Sequence, residues 1–319
     1  MFDEGLTTFL GTIGVHTADI LSLDRLSGGV SNDVYSIATR TRTIVVKRAL
    51  AKLRVAADWR ADVRRLDTER RALEVAHTII PSGVPTILGC SSNFLAIERA
   101  PTNWADWKSL LMEERAETWV AAVLGHLLAR LQRETIAAVG FEDMAVFRQL
   151  RTDPFHTEVG RRLPVLAPAL QSLVHDLTSQ PICLVHGDFS PKNVLVSTDW
   201  ERTSPWIIDW EVAHQGDPNF DPAFLLCHLV LKSLLHAGTA QEYERCASAF
   251  LSAYHADGGL AGDTSSILRH TGALILARVY GKSPVSYLDQ AAKLRASEIG
   301  RSCLLDPPDT VPALWRFVS

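Results

Sequence analysis

Cysteine is scarce and unpaired. The 319 residues hold five (Cys90, Cys183, Cys227, Cys246 and Cys303), scattered and without a CxxC pair. That argues against a disulfide framework or a thiolate zinc site, and for a reducing, cytoplasmic setting. Positive charge is not in excess: 32 Lys+Arg face 36 Asp+Glu, a net of −4. No nucleic-acid partner held by a strongly basic surface is expected. No apolar run is long enough to span a bilayer. The longest, Trp119–Leu131 and Ala223–Leu231, are short and carry His126, Arg130 and His228, so no membrane partner is expected. The opening MFDEGLTTFLG has early acids and no basic stretch, so no signal peptide is expected. Internal repeats and low-complexity tracts are absent. None of the 11 histidines forms an HExxH pair, and no GxSxG occurs. Zinc peptidase and serine hydrolase chemistry therefore lack their central groups. The histidines inside apolar helices, His126 and His228, read as core or surface residues.

What is present is ordinary globular material, 47% hydrophobic and 21% charged, at a length that suggests two domains or one body with two lobes. Charge is uneven along the chain. Residues 1–100 hold 13 basic and 11 acidic side chains, and residues 101–319 hold 19 and 25. The first part reads as strand-rich. Val34–Thr39 and Thr43–Lys47 are β-branched runs around a polar turn, Arg40–Arg42, which predicts a hairpin. Trp59, Val63, Leu66 and Leu73 follow at helical spacing. Pro81 to Pro85 break that helix, and Phe94–Ile97 reads as another strand. Beyond Pro101 the pattern is mainly helical: Val120, Leu124, Leu127 and Leu131 share one face, and Ala223–His236 and Ser265–Lys282 are further helices. Three compact strands, Cys183–Val185, Val194–Val196 and Trp206–Ile208, are inserted between them. The expected fold is α+β and two-lobed, divided at 1–99 and 100–319 with a hinge near 98–101.

The densest chemistry lies in Leu184-Val185-His186-Gly187-Asp188-Phe189-Ser190-Pro191-Lys192-Asn193-Val194-Leu195-Val196. One strand enters, a polar loop holds an Asp and an Asn five positions apart, and a second strand leaves. Trp206-Ile207-Ile208-Asp209-Trp210-Glu211 then ends a third strand in an acid. Phosphoryl transfer needs such a set: one carboxylate to take the proton of the attacking hydroxyl, and an amide oxygen with a second carboxylate to hold Mg²⁺ on the phosphates. The plain alternative is that Asp188 and Asp209 cap strand ends.

The whole set resembles the aminoglycoside phosphotransferase and choline kinase superfamily, small-molecule relatives of the protein kinases. The resemblance runs from about Leu26 to Leu288. It implies a protein-kinase-like fold with a small β-rich N-lobe and a larger helical C-lobe, and ATP (GTP not excluded) with Mg²⁺ as cofactors. By it Asp188 is the catalytic base, and Asn193 and Asp209 are the metal ligands. Ser27, Gly28, Gly29 and Ser31 correspond to the nucleotide loop, where glycines let backbone N–H groups approach phosphates; a plain Gly-rich hairpin turn is the alternative. Lys47 corresponds to the phosphate-gripping lysine, and its partner is Glu69, on the edge of the apolar helix stripe; Glu74 is the competing choice. Glu98 to Ala100 offer backbone groups to the adenine.

Gly216-Asp217-Pro218-Asn219-Phe220-Asp221-Pro222 matches the family's GDPxxD segment. Asp221 reads as a helix N-cap and Asp217 as a loop-ordering acid that also faces substrate. Glu211 reaches the metal or the substrate, or is a solvated loop acid. Two departures stand out. Gln132 replaces a histidine that often supports the catalytic loop, and Ser190 stands where protein kinases keep a lysine, a role open to Lys192. The expected activity is transfer of the γ-phosphoryl group to a hydroxyl of a small molecule, such as an aminoglycoside-like antibiotic, amino alcohol or sugar. A catalytically silent nucleotide-binding homologue stays open, and so does a protein kinase, although DFG and APE are missing. Glu142, Asp143, Asp153, Glu158, Glu211 and Asp217 are expected around the acceptor cleft, which predicts a cationic acceptor.

Overall fold

The structure is a computed structural model, and it describes residues 4–26, 32–50, 62, 64–136, 140–199 and 202–318. The sequence's proposed nucleotide loop, Ser27, Gly28, Gly29 and Ser31, lies outside the described residues, as do Trp59 and Val63 at the start of the first long helical pattern.

The N-terminal part is a five-stranded antiparallel sheet of β1 (Ile20–Arg25), β2 (Asn32–Thr39), β3 (Thr43–Ala49), β4 (Ile87–Cys90) and β5 (Leu95–Glu98), in the order β1-β2-β3-β5-β4. The predicted hairpin is β2–β3, in register from Asn32 opposite Ala49 to Ala38 opposite Thr43. Two-residue alternation sends side chains of β3 to opposite faces. Ile44 and Val46 pack under α1 (Glu4–Thr12) with Leu6, Phe9 and Leu10. Val45 and Lys47 face the other way, into a cleft, and Val34, opposite Lys47 across the hairpin, lines the same cleft. Helix α2 (Arg65–Ile79) buries Leu66, Glu69, Leu73 and Ala76 on one stripe.

The C-terminal part is mainly helical. In chain order it runs β6 (Trp104–Asp106), α3 (Trp107–Met112), α4 (Thr118–Glu134), α5 (Ala145–Phe147), α6 (Glu158–Arg162), α7 (Ala167–Ser179), β7 (Cys183–Val185), β8 (Val194–Ser197), β9 (Trp206–Ile207), β10 (His214–Gly216), α8 (Phe220–Leu235), α9 (Ala240–Ala256), α10 (Thr264–Tyr280), α11 (Gln290–Leu305) and α12 (Val311–Trp315). The strands form two small sheets, β10-β7 and β6-β8-β9. α4 and α9 approach so closely that a Cβ on Gly125 would sit 2.4 Å from the Phe250 carbonyl oxygen. Among the described residues no single helix is long and apolar enough to cross a membrane.

Between α5 and α6 the helix widens into a π-type stretch, Arg148–Thr157, which contains Pro154. Proline lacks an N–H and clashes with the carbonyl four residues back. That carbonyl, on Leu150, instead accepts from Arg151 Nη1 at 2.7 Å. Wide turns of this kind recur at functional sites, and this one aims Arg151 at the loop after β7.

Candidate active site

The two parts face each other across a cleft of about 690 Å³. Its geometry follows from strand ends. β8 pairs antiparallel with β9, Val194 opposite Ile207, and the Ile208 N–H donates to the Asn193 carbonyl at 2.9 Å. Asn193 and Asp209 are thus delivered to neighbouring positions, and both line the cleft. Asp209 holds φ +71, an uncommon backbone for a residue with a side chain and one often kept at functional sites.

Lys47 reaches this point from the sheet. Its ammonium contacts Glu69 at 2.5 Å and Asp209 at 2.9 Å. Burial opposes the charge on Lys47, but the carboxylates of Asp209 and Glu69 outweigh it and hold the ammonium protonated far above the ordinary lysine range. Burial pushes Glu69 upward, with Lys47 opposing. Burial would also raise Asp209, yet Lys47 and Lys192 keep it well below the usual carboxylate range. Glu74, the competing partner, lies on the outer face of α2 and pairs with Arg70 at 2.7 Å.

Asp188 is buried within a ring of donors. Arg151 approaches at 3.1 Å, Lys192 at 2.9 Å and the Asn193 amide at 2.9 Å. Burial raises its pKa, and Arg151 and Lys192 more than reverse that, so the carboxylate is ionised. Lys192 is about half exposed, whereas Ser190 is buried. The loop itself is pinned from below. His186 Nδ1 accepts from the Asp188 N–H at 3.1 Å, which leaves Nε2–H to donate to the Ile208 carbonyl at 3.1 Å. Burial lowers this imidazole to about 4, so the neutral tautomer is fixed. Gly187 has φ +76, and a Cβ there would lie 2.6 Å from the Val212 carbonyl oxygen. Only glycine fits that turn.

Several expectations need correction. Asp221 is not an N-cap: α8 begins at Phe220, and the buried Asp221 carboxylate accepts from the N–H groups of His186 (2.7 Å) and Gly187 (3.0 Å). It anchors the loop, and burial pushes it up to about 7. Asp217 does not line the cleft; it accepts from the Asn219 backbone and side-chain nitrogens, both at 2.8 Å. Glu211 lines the cleft but faces the sheet side, bound by Arg65 at 3.0 Å and Asn32 at 3.0 Å. Glu142, Asp143, Asp153 and Glu158 are not in the cleft wall. Glu142 accepts from the Gly140 N–H, and Glu158 pairs with Arg161 and Arg162. Of the acids behind the expectation of a cationic acceptor, Glu211 alone lines the cleft, and its charge is met by Arg65. His228 lines the cleft, while His126 is a surface residue paired with Asp257.

Gln132 does support the neighbouring loop: its amide donates to the Pro218 carbonyl at 3.1 Å, and its oxygen accepts from Tyr254. Glu98 and Ala100 line the cleft where the two parts join, with the Glu98 N–H donated to Thr86. The residue that sequence reasoning missed is Arg151. It also donates to the Gly187 carbonyl at 2.6 Å and lies over the rings of Phe155 and Phe224. The available signal was Pro154, a proline inside an otherwise helical stretch.

No curated protein matches the chain. Among solved structures, choline kinase LicA from Streptococcus pneumoniae is similar with a TM-score of 0.55 at 17% identity, over 94% of this chain and 98% of that one. A choline/ethanolamine kinase family protein from Mesorhizobium loti gives 0.54 at 16%, over 99% and 97%. The gentamicin complex of APH(2")-IIa gives 0.50 at 17%, over 98% of each. At such identities the likeness is one of fold. The sequence profile of the phosphotransferase enzyme family (APH) matches residues 22–262, from β1 to the loop before α10. With well over half its length matched, the chain belongs to that family.

Proposed function

We propose that the protein transfers the γ-phosphoryl group of ATP, or of GTP, to a hydroxyl of a small molecule. The supporting observation is the cluster itself: a lysine held between two carboxylates, beside an ionised Asp188 with its own Asn, in one cleft. In this reading residues 1–99 hold the nucleotide, with Glu98 and Ala100 near the base, and residues 100–319 carry the acceptor. Lys47, fixed by Glu69, orients the nucleotide phosphates. Asn193 and Asp209 suit a Mg²⁺ ion, a hard cation that keeps water and phosphate oxygens in most of its shell and needs few protein ligands. Among the described residues no group of three or more His, Cys, Asp or Glu could hold a metal alone, consistent with an ion carried in on a nucleotide. When bound, such an ion neutralises charge on the phosphates.

Asp188 accepts a hydrogen bond from the acceptor hydroxyl and takes its proton as the oxygen attacks. The new bond forms between that oxygen and the γ-phosphorus, the bond to the β-phosphate oxygen breaks, and ADP leaves with its electron pair. Lys192 stands where the migrating group's charge develops. Positioning and charge stabilisation supply most of the rate, with no covalent enzyme intermediate. The test is acceptor-dependent ADP release across hydroxylated metabolites and antibiotics. ATP binding without turnover on any acceptor would sink the transferase reading, and phosphorylation of a generic protein would redirect it.

A further inference from the structure

One wall of the cleft, built by α8, α10 and the loop after α10, carries positive charge that no carboxylate meets among the described residues. Lys232, on α8, has 0% of its surface exposed. Its ammonium reaches the His228 carbonyl at 3.4 Å and lies 5.8 Å from the ring centre of Tyr287. Arg278, in the last turn of α10, donates Nη1 to Ser283 Oγ at 3.0 Å. Its Nε is buried with no partner among the described residues, and so is the Tyr287 hydroxyl. Among the described residues no carboxylate lies within 4 Å of either cation. Of the acids whose charge reaches them, Asp106 is committed to Ser109, capping α3, and Asp188 to Arg151, Lys192 and Asn193. Lys108, on α3, lines the same cleft and adds a further positive charge.

A cation taken out of water without a counter-charge is costly. Burial and neighbouring cations push Lys232 down to about 7 and lower Arg278. Both side chains, with Tyr287, open onto the cleft that holds Asp188. Perturbed groups at a cleft wall cluster at functional sites, and an entering anion would supply the missing counter-charge.

We propose that Lys232, Arg278 and Tyr287 form an anion subsite for the acceptor, so that the molecule phosphorylated is an alcohol bearing a carboxylate or a phosphate. The inference deepens the phosphotransferase reading and rests on it for the role of the bound acid. Phe155, Phe224 and Val285, in the same cleft, supply apolar surface for the carbon skeleton between hydroxyl and acid.

Calorimetric titration under saturating Mg²⁺ and a non-hydrolysable ATP analogue tests it, with the nucleotide phosphates already in place. The probes are glucuronate, glucosamine and glucose, one skeleton carrying an acid, an amine or neither, with glucose 6-phosphate as the phosphate form. At least one acid is expected to bind tenfold or more tightly than glucose, and glucosamine no more tightly than glucose. Whether the carboxylate or the phosphate gains more identifies the source of the charge. Arg278→Met and Lys232→Met should each weaken the acid tenfold or more with circular dichroism unchanged. Lys232→Met removes an unpaired charge from the interior, so it keeps the test alive if Arg278→Met does not fold. A preferred amine, no acid tighter than glucose, or acid binding unmoved by the variants overturns the proposal. ADP release on the same panel separates the two readings. Acid binding without release would keep the subsite and remove the phosphotransferase role. Release with glucosamine alone would keep the phosphotransferase and discard the subsite.

Discussion

At the sheet side of the cleft, Glu69, Lys47 and Asp209 alternate in charge, and close by Arg65 pairs with Glu211. At the side made by α8 and α10, buried Lys232 and half-buried Arg278 have no carboxylate in contact among the described residues. The first arrangement is electrostatically closed and holds its geometry before any ligand arrives. The second is open and is completed only by an incoming charge. A buried ion pair repays its desolvation only when the partner geometry is good, so the two ends should answer mutation in opposite ways.

Asp188 sits between them and should give the largest effect. Asp188→Asn is expected to lower kcat about 10³-fold and to leave nucleotide affinity within about threefold, as read by ADP release and calorimetry. Near-normal turnover would move the catalytic position elsewhere and leave the two ends without a common centre.

Stability sharpens the contrast directly. Arg65 is fully buried, and Arg65→Met strands Glu211 with only the Asn32 amide. A loss of about 3–5 kcal/mol is expected, as for breaking a buried pair. Lys232→Met should be neutral or stabilising by about 1 kcal/mol, because it deletes a charge with no partner. Urea titrations of both variants settle it. Equal losses would mean that Lys232 is compensated after all.

The closed end should also lose metal affinity. Asp209→Asn suits the positive φ at this position, since Asn tolerates left-handed backbone, while the charge is removed. Mg·ATP affinity is expected to fall about 10–100-fold, with a smaller change when nucleotide is titrated without Mg²⁺. Unchanged affinity in both titrations would place the metal away from Asp209.

The closed end was legible because its residues sit on contiguous, periodic segments. Alternation in Thr43–Ala49 put Lys47 opposite in sense to Ile44 and Val46, and Glu69 fell on a helix stripe that also carries Leu66 and Leu73. Asp188 and Asn193 share one loop. The open end is assembled from Lys232 and Arg278, far apart in sequence, and a cation on a helix ordinarily reads as solvated. The one clue was Lys232 itself, inside the apolar run of α8. Glu142, Asp143, Asp153 and Glu158 misled because an acid's position in a loop or an irregular helix says nothing about which way it points. Asp221 looked like a cap because Pro222 follows it, but the chain enters α8 two residues earlier, at Asn219, and the carboxylate is left free to bind the loop above. The strands β1 and β4 and the helix α1 escaped because each is short and has no turn signal strong enough to frame it.

The smallest effect concerns the scaffold of the open end. His156 lies in the same wide-turned stretch as Arg151, is buried, and among the described residues has no partner for either ring nitrogen. Burial, helped by the charge of His270, lowers it from 6.5 to about 3. A base whose folded pKa is depressed contributes stability that is present above the unfolded pKa and lost as pH falls toward the folded one. His186 and His214, lowered to about 4, act in the same direction. Asp221, raised to about 7, acts in the opposite one: its contribution is full below the ordinary carboxylate pKa and is lost as pH rises through 7. Burial lowers His228 and His270 too, and raises Glu69 alongside Asp221; the imidazoles outnumber the two carboxyls, so the wild-type midpoint should fall between pH 7 and pH 5. His156→Leu removes one of these proton-binding imidazoles from the unfolded chain without breaking a hydrogen bond among the described residues. It should lessen the fall by about 1–2 kcal/mol at pH 5, measured as the difference in urea stability between the two pH values. A variant with the wild-type slope would show that His156 is not held neutral, and with it that the interior behind Arg151 admits charge or water.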